Sequence, residues 1–182
     1  MTLQPHLANA VVTLRPLAPA DREPLYAAAA DPAIWALHPA HDRWKQPVFD
    51  AYFDQGLASC GQLVVLDTAT GAVIGSSRYD RSRVGFDDEV EIGWTFLVRS
   101  HWGGPTNRAM KQLMVGHALT GYRQVLFVVG QGNLRSRGAM VKLGATLTDR
   151  TQEIEMVGNI VRHVLFTLDR AGLDAGPLGQ PL

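Results

Sequence analysis

A length of 182 residues, with 46% hydrophobic and 19% charged residues, predicts one globular domain with a core of ordinary size. Basic and acidic residues number 17 each, which excludes a general electrostatic attraction for nucleic acid or an anionic membrane and leaves only local charged patches to consider. The single cysteine excludes an internal disulfide and a multi-cysteine metal site.

The chain begins with a predicted strand and a predicted helix. Residues 11–17 alternate in polarity up to a proline, which is typical of an edge strand. Residues 18–37 form an alanine-rich stretch that predicts a helix. We expect Asp21 to be its N-cap and Pro32 to end it.

A loop and a second helix follow. The segment 38–44, HPAHDRW, has the composition of a loop, and 46–58 predicts a helix. The apolar side chains on one face of that helix are Val48, Tyr52 and Phe53. We expect Cys60, just past the end of the helix, to be buried.

Three strands come next, at 62–67, 72–80 and 89–98. The connections 68–71 and 81–88 are rich in turn residues. Consecutive strands joined by turns predict an antiparallel meander.

A helix, a buried strand and another helix are predicted in the next segment. Residues 105–120 carry an apolar stripe at helical spacing, formed by Met110, Leu113, Met114, His117 and Ala118. The run 124–130 is continuously apolar, as in a central strand. The helix 133–144 has Asn133 at its N-cap position and Gly144 just past its end.

Two strands, 146–155 and 160–168, complete the predicted domain, and the Gly- and Pro-rich tail 171–182 predicts disorder. The helix 105–120 joins its two flanking strands by a βαβ crossover within an otherwise antiparallel sheet. The sequence therefore predicts an α+β fold of mixed α/β character, with a mostly antiparallel central sheet and a single crossover.

The corner between strand 89–98 and the following helix carries the sequence Gly103-Gly104-Pro105. Glycines there leave the main chain bare, so an anion could approach the free N–H groups of the first helical turn. The alternative is a plain glycine-rich turn in which proline marks a helix start. Neither a P-loop nor a Gly-x-Gly-x-x-Gly fingerprint is present.

Two sequence blocks, EIGWTFLVRSHWGGPTNRAMKQLM and VLFVVGQGNLRSRGAMVKLGA, resemble the GNAT superfamily of acyl-CoA N-acyltransferases. Within the superfamily, the chain is most similar to the Rim-type branch, which acetylates protein N-termini and other amines. The resemblance runs from about residue 11 to 168 and matches the predicted element order. It implies the GNAT fold, one N-acetyltransferase domain over 1–170 followed by a flexible tail at 171–182, and acetyl-CoA as co-substrate.

The resemblance also implies a set of cofactor contacts. The family's pyrophosphate loop reads Gln/Arg-x-x-Gly-x-Gly/Ala, and this chain departs from it at both ends, with Ser100 first and Pro105 last. The residues that the resemblance places against the cofactor are Phe96, Leu97, Val98, Arg99, Gly103, Gly104, Thr106, Asn107, Asn133 and Arg135.

The candidate catalytic residues are Glu91 and Ser136. Glu89 and Glu91 alternate with apolar residues, so both face the same side of their strand. Rim-type relatives often carry a carboxylate on this strand, which favours Glu91 as the base, while Glu89 remains the other candidate. The alternative is that both glutamates lie on a solvated sheet face with paired charges. Many GNAT enzymes use a tyrosine acid in the helix 133–144, which here contains none, and Ser136 lies where some Rim-type members place a serine near the sulfur.

The loop 38–44 borders the acceptor pocket in the resembled fold, which makes Trp35, His38 and Trp44 candidate substrate-binding residues. His38 and His41 do not predict a metal site, because no third distant ligand is evident. We expect no acetyl-cysteine intermediate, since no histidine or acid is visibly tied to the cysteine.

The predicted function is acetyl-CoA-dependent transfer of an acetyl group to a primary amine, either a protein N-terminus or a small molecule, by direct attack in a ternary complex. The alternative is a non-catalytic acyl-CoA-binding sensor or interaction module. No apolar run reaches about 18 residues and no signal segment is evident, so we expect a cytoplasmic protein. We expect acetyl-CoA and an amine acceptor as partners, and neither nucleic acid nor a membrane. Whether the chain forms a homodimer is left open.

Overall fold

The computed structural model describes residues 1–182, which form one eight-stranded sheet flanked by helices. The strands are β1 Leu7–Ala8, β2 Val12–Pro16, β3 Gln62–Asp67, β4 Val73–Asp80, β5 Glu89–Leu97, β6 Gln124–Gly130, β7 Thr146–Met156 and β8 Asn159–Asp169. Their order across the sheet is β1-β2-β3-β4-β5-β6-β8-β7. The segment predicted to be an edge strand is β2. It is the second strand of the sheet, because the two-residue strand β1 pairs with it on the outside.

The helices are α1 Arg22–Ala29, α2 Pro32–Trp35, α3 Gln46–Ala58, α4 Thr106–Ala118, α5 Leu134–Lys142 and α6 Arg170–Ala175. The longest, α3 and α4, have 13 residues each. No helix has the length and apolar character needed to cross a lipid bilayer.

The sheet is antiparallel except for one pair. Strands β3 to β5 form the predicted antiparallel meander, and β2 adds to it by pairing antiparallel with β3. The pair β5 and β6 is parallel, and α4 connects them. The predicted α+β fold with one crossover is therefore confirmed.

Two apolar clusters hold helices against the sheet. The larger cluster packs α4 and α5 on the sheet through residues such as Met110, Met114 and Met140. The smaller cluster packs α1, α2 and α3 through residues that include Leu25 and Phe49. Helices therefore cover both faces of the sheet. Between α2, α4 and α5 a cavity reaches the strands.

The first predicted helix is divided in two, and Asp21 does not cap it. The carboxylate of Asp21 accepts a hydrogen bond from the backbone N–H of Ala18 and pairs with Arg15 at 2.7 Å, so it is not available to the first turn of α1. Pro32 begins α2 rather than ending a longer helix, and Asp31 caps that helix by accepting from the N–H of Ala33.

Cys60 is exposed, so the prediction of a buried residue was wrong. It lies in the turn from α3 to β3 with φ of 50°, in the left-handed region. The next residue, Gly61, lies so close to β4 that a Cβ there would stand 2.0 Å from the carbonyl oxygen of Tyr79. The chain therefore turns tightly against the sheet at Gly61 and leaves the preceding side chain on the outside.

The C-terminal tail is packed on the domain, contrary to the predicted flexible segment 171–182. Leu173 and Leu178 belong to the larger apolar cluster, and Leu178 is only 1% exposed. Arg108 donates hydrogen bonds to the carbonyl oxygens of Pro177 and Gln180 at 3.1 and 2.9 Å. Two leucines among small residues are a weak sequence signal, but they are enough to anchor the tail when α4 and α5 provide the surface.

We expect Leu178→Ala to lower the free energy of unfolding by about 2–4 kcal/mol, because it removes a buried side chain and leaves a cavity. Leu182→Ala is the matched control, since Leu182 is 48% exposed. Urea unfolding of both variants measures the difference. Equal stabilities for the two variants would contradict the packed tail.

Candidate active site

Strands β5 and β6 separate after a short paired stretch. Their parallel register joins Glu89–Glu91 to Gln124–Leu126 and extends no further, although both strands continue. The β4–β5 ladder shifts register between Ser76 and Arg78, and Trp94 of β5 has φ of 49°. Such a bulge bends a strand. A cavity of about 730 Å³ lies where the strands part.

The cavity collects most of the predicted site residues. Those that line it are Trp35, His38, Phe96, Leu97, Gly103, Gly104, Asn107, Asn133, Arg135 and Ser136. Val98, Arg99 and Thr106 are not part of its wall. Arg99 instead pairs with Asp31 at 2.5 Å, and Thr106 is buried beside His101. The structure thus brings the two predicted blocks together around one space.

The Gly-Gly-Pro corner forms an open edge of the cavity. Gly103 has φ of 74°, which a glycine adopts without strain. A Cβ on Gly103 or Gly104 would meet no heavy atom within 4 Å. Pro105 occupies the N-cap position of α4 rather than its first helical position, so the N–H groups of the first turn start at Thr106. This corner can admit an anion next to the positive end of a helix.

Helix α5 begins on the opposite side of the cavity. The Oδ1 atom of Asn133 accepts a hydrogen bond from the N–H of Ser136 at 3.1 Å, so Asn133 is the N-cap that the sequence predicts. Arg135 donates to the carbonyl oxygen of Ile34 at 2.7 Å, and its guanidinium lies 4.2 Å from the ring centroid of Trp102. The start of α5 is thereby fixed to α2 and to the glycine corner.

The two glutamates of β5 are fully buried, so the alternative of a solvated sheet face was wrong. Glu89 pairs with Arg150 at 2.7 Å, and Glu91 forms a two-pronged ion pair with Arg83. Burial raises the pKa of Glu91 to about 7, although the charge of Arg83 acts in the opposite direction. Glu91 can therefore exchange a proton near neutral pH.

Glu91 lies just behind the cavity wall. A Cβ on Gly93 would stand 2.7 Å from the Oε1 atom of Glu91, and Gly93 and Arg83 both line the cavity. The side chain of Glu91 does not line the cavity itself. A proton would pass between the cavity and this carboxylate beside Gly93, through a water molecule.

Trp94 and His163 bring an aromatic ring and a hydrogen-bond acceptor to the cavity wall. The guanidinium groups of Arg78 and Arg83 each lie 4.3 Å from the ring centroid of Trp94. His163 donates from Nδ1 to the carbonyl oxygen of Val161 at 2.9 Å, which leaves Nε2 as an acceptor. Trp44, predicted to bind substrate, lies outside the cavity and packs against the smaller apolar cluster.

Lys111 of α4 is a buried cation in the cavity wall. It is 2% exposed and donates hydrogen bonds to the hydroxyl oxygens of Thr95 and Ser77 at 2.8 and 3.2 Å. No carboxylate pairs with it, and burial lowers the pKa of Lys111 to about 7. Its amine is therefore partly neutral under ordinary conditions.

Sequence reasoning missed Arg43, Arg83, Lys111 and His163. Lys111 lies next to the apolar stripe of its helix and reads as an ordinary surface lysine, so no local signal marked it. In the loop HPAHDRW the histidines and tryptophan are the conspicuous residues, and nothing local distinguishes Arg43 from a surface arginine. No group of three His, Cys, Asp or Glu side chains is placed to hold a metal ion.

Residues 12–146 match the acetyltransferase (GNAT) domain family. A GCN5-related N-acetyltransferase from Brucella melitensis has a similar structure, with 19% identity, a TM-score of 0.81, and 94% of this chain and 81% of that one covered. A GNAT-family acetyltransferase from Bacillus anthracis gives 10% identity, a TM-score of 0.73, and coverage of 91% and 98%.

Mycobacterium smegmatis RimJ, solved in complex with CoA-disulfide, shares 18% identity with a TM-score of 0.71, over 96% of this chain and 89% of that one. At these identities the structures show a shared fold. None of the curated proteins matches the chain in sequence.

Replacing Lys111 by Met should remove a pH dependence of stability. The pKa of Lys111 is 10.5 for an ordinary lysine and about 7 in the folded protein. Between these values the unfolded chain binds more protons, so the folded state gains stability as pH rises. In that window, we expect the free energy of unfolding of the wild type to rise by about 1.4 kcal/mol per pH unit relative to that of Lys111→Met.

Urea unfolding at about pH 7, 8 and 9 measures this difference. Lys142→Met is the matched control, because Lys142 is an exposed helical lysine. A constant difference between wild type and Lys111→Met across the three pH values would contradict a buried, partly neutral amine.

Proposed function

The chain belongs to the GNAT family of acetyltransferases, and we propose that it transfers an acetyl group from acetyl-CoA to a primary amine by direct attack in a ternary complex. The observation that carries this proposal is the cavity between β5 and β6. It joins the open glycine corner of α4 to the wall that shields Glu91. The buried carboxylate of Glu91 beside that space, with its pKa raised to about 7, favours catalysis over a binding-only role.

The residues present fit acetyl-CoA, which supplies the acetyl group as a thioester when bound. Beyond the paired stretch, β5 and β6 turn unpaired backbone edges toward each other. Such edges bind a chain that carries amides of its own. Phe96 and Leu97 of β5 line the cavity along this opening. The bare main chain at Gly103 and Gly104 accepts the pyrophosphate, where a side chain would fill the space.

Glu91 is the proposed base. The attacking amine must be neutral, and an α-amino group with a pKa near 8 is already partly so at neutral pH, whereas a lysine with a pKa near 10.4 is almost fully protonated. A carboxylate with a pKa of about 7 is well matched to take a proton from the first kind of amine through water. This matching favours an acceptor whose amine has a pKa near 8, such as a protein N-terminus.

The departing thiolate needs little assistance, because a thiol with a pKa near 8.5 is a fair leaving group. Ser136 is half-buried in the cavity wall and can donate its hydroxyl proton toward the sulfur. Cys60 is exposed and does not line the cavity, which supports direct attack rather than a cysteine-bound intermediate.

We expect Gly104→Glu to abolish CoA binding and leave the fold intact. The new Cβ has open space in the free protein, so the folded state tolerates it. The carboxylate would occupy the anion site and repel phosphate. Gly116→Glu is the matched control, since it adds the same charge to α4 at another open position.

Calorimetry with CoA and urea unfolding measure the two properties separately. The assignment of the glycine corner is wrong if folded Gly104→Glu binds CoA as tightly as Gly116→Glu does.

We expect Glu91→Gln to lower turnover by about 100-fold and to remove the acid limb of the pH profile. The carboxylate form predominates only above the folded-state pKa of about 7, so kcat/KM of the wild type should rise with pH up to that value. Glutamine has no proton to exchange in this range. Thiol release from about pH 5.5 to pH 9 measures the profile.

Glu89→Gln is the matched variant, because Glu89 lies two residues away, is equally buried and also pairs with an arginine. It should keep the acid limb. Loss of that limb in Glu89→Gln, with its retention in Glu91→Gln, would reverse the two roles.

A further inference from the structure

Arg43 is a cation without a partner in the wall of the cavity. Its guanidinium lies 5.0 Å from the ring centroid of Tyr52 and 5.6 Å from that of Trp35. It takes part in no ion pair and no hydrogen bond, and only Tyr52 and the neighbouring Asp42 favour its charge from a distance. Stacking on two aromatic rings holds the group in place and leaves its donors open.

The charge of the whole cavity wall is positive. The basic residues that line it are Arg43, Arg83, Arg108, Lys111, Arg135 and Lys142, and no aspartate or glutamate does. Arg108, Arg135 and Lys142 lie on α4 and α5, near the corner proposed for phosphate. Arg83 is paired with Glu91. Arg43 lies in the loop between α2 and α3 and is the basic residue of this wall that has neither an ion pair nor a place on α4 or α5.

His38 adds a neutral donor beside Arg43. Its Nδ1 atom accepts a hydrogen bond from the N–H of Ala40 at 2.9 Å, which assigns the ring proton to Nε2. Burial and the charge of Arg43 lower the pKa of His38 to about 3, so the ring stays neutral. Arg43 and His38 thus both present N–H groups to the cavity, and the Nε2 atom of His163 is an acceptor in the same wall.

We propose that Arg43 and His38 bind a carboxylate of the acceptor, so that the acceptor is an amine that also carries a carboxylate. The proposal rests on the acetyltransferase function above and names its substrate class. An arginine fork binds a carboxylate through two parallel hydrogen bonds, and a histidine N–H can add a third. A free amino acid provides this carboxylate from its main chain, and a peptide provides it from an acidic first residue.

The charge of the cavity also favours such an acceptor over a simple amine. A plain ammonium ion would enter a positive cavity against repulsion, whereas an acceptor with a carboxylate is neutral overall and carries its own partner for Arg43.

The test compares matched acceptors by thiol release with acetyl-CoA. One arm pairs the common amino acids with their α-amides, and the other pairs tripeptide amides beginning with aspartate or glutamate with those beginning with asparagine or glutamine. We expect the carboxylate member of at least one arm to have a kcat/KM higher by about 10-fold or more, the size of a charge-assisted hydrogen bond. The arm that shows the preference identifies the source of the carboxylate.

Arg43→Gln should reduce the ratio of kcat/KM between the carboxylate member and its matched partner to about 1. Arg43→Lys should keep part of this preference, because a lysine retains the charge and loses the planar fork of donors. Arg170→Gln is the control, because Arg170 is an exposed arginine of α6 outside the cavity, and it should keep the full preference. Calorimetry with CoA shows that each variant is folded and binds its co-substrate.

The carboxylate site is wrong if acceptors are acetylated without preference for the carboxylate member, or if Arg43→Gln keeps the preference; the acetyltransferase function stands in both cases. A higher kcat/KM for phosphoethanolamine than for β-alanine would also overturn the carboxylate assignment. If CoA binds and no amine in the panel is acetylated, the proposed function fails and the carboxylate site falls with it.

Discussion

The parallel strands β5 and β6 are hydrogen-bonded over three residue pairs and then separate, and the rest of the site depends on that separation. Each strand keeps its other neighbour, β4 or β8, so the opening does not disrupt the sheet. Backbone groups that face each other without pairing need another partner, because unpaired N–H and C=O groups away from water are costly. The helices α4 and α5 both follow these two strands, so both helix starts lie beside the gap.

Buried charge is the second consequence of this opening. Glu91 lies behind the wall with Arg83, and Lys111 lies in it with only hydroxyl partners. A buried ion pair is a weak source of stability, and an unpaired buried amine lowers stability until it loses its proton. The larger apolar cluster of 24 residues around α4 supplies the stability that tolerates both features. Charges retained at such a place point to chemistry rather than to folding.

The sequence predicted what local patterns determine. Apolar periodicity predicted α4 and the buried strand β6, and Asn133 marked the start of α5 by its capping chemistry. Bare glycines at a helix start marked the Gly-Gly-Pro corner, and strand alternation together with the resemblance singled out Glu91. Long-range contacts could not be read this way: Leu178 is buried where the tail folds back on α4, and Lys111 is buried where α4 packs against Ser77 and Thr95 of the sheet. Trp44 lay in the right loop, but the side of the loop that faces the cavity is decided by tertiary packing.

The positive charges of the cavity wall and the proposed base Glu91 both favour removal of a proton from the acceptor's ammonium group. At an effective dielectric constant of about 20, one positive charge about 6 Å from an ammonium ion disfavours it by roughly 3 kcal/mol, or about two pKa units. Glu91 offsets the charge of Arg83, and Asp80 offsets that of Arg78. This leaves Arg43 and the protonated fraction of Lys111 among the unpaired positive charges of this cavity. An amine held there loses its proton more easily than in water. A carboxylate with a pKa of about 7 is then a strong enough base, which explains how a glutamate shielded from solvent can serve.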